Sequence, residues 1–268
     1  MRLPAPVFFH DERYKGMGRS SGLARGLQVK IEGMDLTQEG MGLGNIAIRS
    51  RGYTYFSRDG QADWLDSNHM VQHYVIDTIH LAGRGDTASA LITRVRELLS
   101  ALYRRLPAFQ KSLLWVGMHI QGWLGVQSLF APVPPRARAE FHYQLGPERV
   151  EVRCEFHALD EPLQELYIMN ELGADYFTSG WKAGRPTEPP SGWQVCNHHD
   201  LPFLYSPEHR LRFSLCDISV NQELPFKVCW GREQIDGLCW AGFSIQLDLT
   251  RASTADITCR YTVIFENE

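Results

Sequence analysis

Residues 27–32 alternate strictly, with Leu27, Val29 and Ile31 on one side and Gln28, Lys30 and Glu32 on the other. A period of two places alternate side chains on opposite faces of a pleated strand, so the run predicts a half-buried strand. Residues 46–49 and 53–56 resume the strand pattern, and residues 70–81 are rich in β-branched side chains. Residues 138–145 and 149–158 predict a hairpin about Gly146-Pro147. Phe141, Tyr143, Val150, Val152, Cys154 and Phe156 share its apolar face, and Glu140, His142, Gln144, Glu151, Arg153, Glu155 and His157 its polar face. Residues 211–215, 224–230, 238–249 and 257–265 alternate in the same way.

A helical period occurs once. Leu91, Val95, Leu98, Leu99, Leu102 and Leu106 form a stripe that begins after Asp86, a good N-cap, and stops at Pro107. The residues at 131–135, Ala-Pro-Val-Pro-Pro, are the best linker in the chain. About a dozen short strands and one helix predict a mostly β protein. The expected fold is a large antiparallel β-sandwich, or a barrel-like variant, with one amphipathic α-helix around 86–106. The expected organisation is a single domain over 1–268, with a subdivision near 131–137 as the alternative.

Composition narrows the function classes. A formal net charge of −4, with no basic run longer than a pair or so, lacks the stripe that neutralises phosphates, so nucleic acid is not an expected partner. Residues 112–135 carry no formal charge, but His119, Gln121, Gln127 and several Gly and Pro residues make them a piece of core rather than a membrane span. The six cysteines, at 154, 196, 216, 229, 239 and 259, form no Cys-x-x-Cys and sit in apolar runs. They are expected to be free thiols, and the expected compartment is the cytoplasm.

Several motifs fail their structural context. The Gly-Met-Gly-Leu-Gly run at 40–44 leads into a strand, not a helix N-terminus, and predicts a bulged connection rather than a phosphate loop. Gly18-Arg19-Ser20-Ser21-Gly22 has the spelling of a nucleophile elbow, but a polar run precedes it. His69 and His73 have helical metal-ligand spacing on what reads as a strand, where they still share a face. No metal and no cofactor is expected.

The remaining candidates are polar groups at strand ends and loops. Asn197, His198, His199 and Asp200 combine imidazole with carboxylate, which suits proton transfer. Asn170 and Glu171 follow an apolar run at 165–169 and are expected at a strand end. Residues 231–237 are expected to form a loop carrying Arg232 and Glu233. Trp240 falls on the polar side of its strand, with Ser244, Gln246 and Asp248, where an indole offers a flat platform and an N–H donor. Glu171, Glu233 and His199 are the expected acid–base groups. Trp240, Trp193, Asn170, Arg232, His198 and Asp200 are the expected ligand contacts. The small-molecule ligand that this set suits is a sugar, and the reaction class is that of an epimerase, lyase or hydrolase. The alternative is a non-catalytic protein that holds an apolar small molecule inside a barrel, or an assembly partner.

Overall fold

The computed structural model describes residues 6–10, 26–37, 41–81, 129–159, 162–197, 201–235 and 238–267. The predicted helix at 86–106 and the loop residues His198, His199 and Asp200 lie outside these. Contacts divide the chain into two units, Met1–Thr78 with Pro132–Glu268, and Ile79–Ala131. The first unit carries nearly all the described residues. Among the described residues, no helix is long and apolar enough to cross a membrane.

The fold is almost entirely antiparallel sheet. A small sheet holds β1 (Val7–Phe9), β2 (Gln28–Ile31) and β3 (Met34–Asp35). The main sheet has fourteen strands. In spatial order they are β11 (Arg185–Thr187), β10 (Ser179–Lys182), β13 (Phe203–Ser206), β14 (Leu211–Val220), β17 (Asp256–Asn267), β8 (Arg149–Ala158) and β7 (Leu129–Leu145), then β6 (His69–Leu81), β5 (Tyr53–Trp64), β4 (Gly42–Ser50), β9 (Glu165–Gly173), β16 (Leu238–Asp248), β15 (Phe226–Ile235) and β12 (Gln194–Cys196). Between β4 and β5 the register runs from Ala47↔Phe56 to Ser50↔Tyr53.

The two halves pack face to face. Phe213 of β14 meets Phe243 of β16 edge-on at 5.2 Å, and Phe213 stacks on Phe265 of β17 at 5.4 Å. Trp230 of β15 lies against Gly180 of β10, where a Cβ would stand 2.8 Å from the indole. The interlayer space is thus filled by aromatic rings, as the alternating apolar faces predicted. The segment read as a linker is extended backbone at the start of β7, with Pro132, Pro134 and Pro135 exposed. Proline's fixed φ suits such backbone, and exposure removes any need for the missing N–H.

One irregularity in the sheet positions a side chain used below. The register of β4 on β9 shifts between Leu43 and Asn45, with Gly44 at φ +80° as the extra residue. This is the bulge expected of the glycine run. It takes Gly44 N–H and Leu43 C=O out of the β4–β9 ladder. Asn170 Oδ1, on the adjoining β9, accepts from Gly44 N at 3.1 Å, while Leu43 O accepts from Leu27 N at 2.8 Å and from the Tyr143 hydroxyl of the facing layer at 2.9 Å. A Cβ at Gly44 would stand 2.2 Å from the Tyr143 hydroxyl, so only glycine fits. Without the extra residue Asn45 would pair with Ile168 and face the core. With it, Asn45 pairs with Met169 and faces outward.

Candidate functional site

In β9, Asn170 and Glu171 are interior strand residues, not the strand end expected from sequence. Successive residues of a strand face opposite ways. Asn170 faces the core, fully buried, and also accepts from the Tyr261 hydroxyl at 3.1 Å. Glu171 faces outward and is half-buried.

The surroundings of Glu171 are set by glycines. Its partners across the sheet are Gly42 on β4 and Gly242 on β16, and Gly242 pairs in turn with Gly231 on β15. No neighbouring side chain in this row brings a charge to the carboxylate. Asn45, turned onto this face by the bulge, hydrogen-bonds to it. Desolvation pushes the Glu171 carboxyl up to about 7, against a smaller lowering by Asn45. The group therefore exchanges its proton near neutral pH.

The second part of the site is aromatic. β15 runs to Ile235, so residues 231–235 are strand rather than the expected loop, and Glu233 lies directly opposite Trp240. Trp240 faces outward, as its phase predicted, and its Nε1 donates to Glu233 Oε2 at 3.3 Å. Only 6% of Trp240 is exposed, because Trp193 stacks on it with centroids 4.1 Å apart and planes 21° from parallel. Trp193 is half-buried and forms the outer plate. Its position depends on Gly231, over which the backbone of Gly192 passes so closely that a Cβ would stand 2.0 Å from the Gly192 oxygen. Hydrogen bonds from Gly192 N to Arg232 O at 3.0 Å and from Arg232 N to Pro190 O at 2.9 Å fix that segment along β15.

The structure thus brings Trp193, Trp240, Glu233 and Glu171 to one face. Trp240 pairs with Gly173 and Glu171 with Gly242, one diagonal step apart, a spacing of roughly 7–8 Å. Arg232 goes the other way, with its Nε on Ala174 O at 3.2 Å and its Nη2 on Gln234 Oε1 at 2.6 Å. Asn170, in the core, is separated from this face as well. Sequence reasoning missed Asn45, whose outward direction follows only once the bulge is placed at Gly44.

No family model matches the chain, and no curated protein matches it. Among solved structures it is similar to an Escherichia coli K12 protein described as "Putative aldose 1-epimerase", with 7% identity, a TM-score of 0.41, and 90% of this chain and 92% of that one covered. It is also similar to HI1317, at 6% identity and a TM-score of 0.36 over 89% of this chain and 84% of that one. A galactose mutarotase related enzyme from Lactobacillus acidophilus follows, at 7% identity and 0.35 over 90% of each chain. The class that this chain's own strand order and packing define is a large antiparallel β-sandwich.

Proposed function

We propose that the protein binds a carbohydrate on the outer face of β9, β16 and β15 and carries out acid–base chemistry there, with Glu171 as the proton-transfer group. The supporting observation is a half-buried carboxyl, pushed up to about 7 by desolvation, on the same face as a tryptophan stack. An acid with its pKa near the working pH both donates and accepts readily, which serves reactions that move a proton on and off one substrate. The carbon-bound hydrogens of a sugar ring pack on an indole face, and Trp193 is the plate open to such contact. Asn45 and Glu171 supply directional hydrogen bonds to hydroxyls.

Glu233 is held by the Trp240 N–H, which leaves one proton-transfer carboxyl rather than a facing pair. Glycoside hydrolysis ordinarily uses two carboxyl groups across the scissile bond. A single group fits epimerase or lyase chemistry better. His199, with His198 and Asp200, remains the partner acid–base candidate of this proposal.

The test is a panel of mono- and disaccharides incubated with the protein in D2O and followed by proton NMR for stereochemical change, C–H exchange or bond cleavage. At least one sugar is expected to turn over. Glu171→Gln is expected to lower the rate about 10²–10⁴-fold while binding persists. Trp193→Ala is expected to weaken binding. Turnover that survives Glu171→Gln unchanged, or no sugar bound at millimolar concentration, overturns the proposal.

A further inference from the structure

The outer face of the β7–β8 hairpin carries a different kind of chemistry. Glu140 on β7 and Glu155 on β8 are direct cross-strand partners. Like charges placed directly opposite each other destabilise a sheet unless something compensates them. Between them reaches His142 of β7. Its Nε2 lies 2.7 Å from Glu140 Oε1 and 3.6 Å from Glu155 Oε2. That nitrogen is shielded from solvent yet in hydrogen-bond line with neither oxygen. A histidine serving as an ordinary ion-pair partner would aim its N–H at one of them.

Each carboxylate is held from behind by its other oxygen. Glu140 Oε2 is 3.0 Å from His73 Nδ1 on β6, and Glu155 Oε1 is 3.3 Å from Arg153 Nη2. Three donor atoms, one nitrogen and two oxygens, therefore converge while a second set of residues orients them. Their mutual separations are within 4.8 Å. A tetrahedral Zn²⁺ with bonds of about 2.0–2.2 Å places its ligands roughly 3.3–3.6 Å apart, inside the range spanned here. Orienting partners on the far side of each ligand are the usual support of such sites. His142 and Arg153 also line a surface cavity of about 370 Å³.

We propose that Glu140, His142 and Glu155 form a binding site for a divalent metal ion of the zinc type, with His73 and Arg153 as positioning residues. Two carboxylates and a neutral imidazole would balance the ion's charge and turn an opposed pair into a ligand pair. The site is on different strands from Glu171, so the two proposals stand or fall separately.

The experiment is calorimetric titration of the metal-stripped protein with ZnCl2, paired with the visible spectrum after Co²⁺ addition. One equivalent is expected to bind, with a tetrahedral Co²⁺ band. Glu155→Gln, nearly the same shape as the native residue, and His142→Ala are each expected to weaken the site at least 10-fold and to remove the band. His73→Ala is expected to weaken it by about 10–100-fold. His157→Ala, at an imidazole paired with Asp256, is the control and is expected to leave binding intact. Circular dichroism confirms that each variant is folded, and Glu155→Gln carries the test if His142→Ala is not. No stoichiometric binding, or binding unchanged in Glu155→Gln, overturns the proposal.

Discussion

Two outward faces of one continuous sheet have been put to opposite uses. Over β9, β16 and β15 the face is covered. Trp240 is 6% and Ser244 1% exposed, and the carboxyl of Glu171 sits among glycines. Over β6, β7 and β8 the face is partly exposed, and His73, Glu140, His142, Arg153 and Glu155 lie within ion-pair distance of one another. A carboxylate in the first setting shifts its titration, because desolvation has no nearby charge to oppose it. In the second, charge meets charge in water, where each pair contributes little. Alternation along a strand tells which side chains share a face; what lies over that face is a separate matter.

The largest effect should come from removing the covered indole. Trp240→Ala is expected to cost about 3–5 kcal/mol in urea unfolding, as for a buried aromatic that leaves a cavity. The same truncation on the open face, His157→Ala, should shift the midpoint hardly at all. Equal small losses would mean that the two faces are equally open.

The next test uses pH. With a native value near 7, against an ordinary value near 4.5, Glu171 keeps a proton in the folded state that the unfolded chain has lost. Folding then takes up a proton between these values, so this group's contribution makes the protein less stable as pH rises from about 4.5 through 7. Above 7 the whole penalty is present. Glu171→Gln should therefore be more stable than the native protein at pH 8, by on the order of 1–3 kcal/mol, and equal to it near pH 4. Urea midpoints across pH 4–8 measure this.

A smaller effect is expected at the bulge. Tyr143→Phe removes one of the two donors to the Leu43 carbonyl, whose bond from Leu27 N at 2.8 Å remains, and should cost about 0.5–1.5 kcal/mol. By loosening the bulge it should also disturb Asn45, read as a shift of the Asn45 side-chain amide resonances. On the open face, Glu155→Gln in metal-free buffer should change stability by only about 0.5 kcal/mol, in the stabilising direction, because it relieves the opposition to Glu140.

Much of this was legible in the sequence. The hairpin strand at 149–158 and the long strand from residue 238 match the alternation closely, because both bury one apolar face against the other layer. The outward phase of Trp240 was readable for the same reason. Its cover was not, since Trp193 reaches it only through the close passage of Gly192 over Gly231, a contact between segments some 40 residues apart. The strand status of Arg232 and Glu233 was missed because Gly231 was read as the start of a loop. The Asp236-Gly237 pair, the stronger two-residue hairpin signal, was the better boundary. The Glu140–His142–Glu155 convergence needs the cross-strand register of the hairpin, and the polar face alone does not show that the two carboxylates oppose each other.

The most direct test of the account is the titration of Glu171 itself. Protein labelled with ¹³C at the glutamate side-chain carboxyl can be followed by NMR from pH 4 to 9, with Glu171→Gln assigning the resonance. The account predicts a midpoint near 7. A midpoint in the ordinary carboxylate range, near 4.5, would contradict it and remove Glu171 as the proton-transfer group.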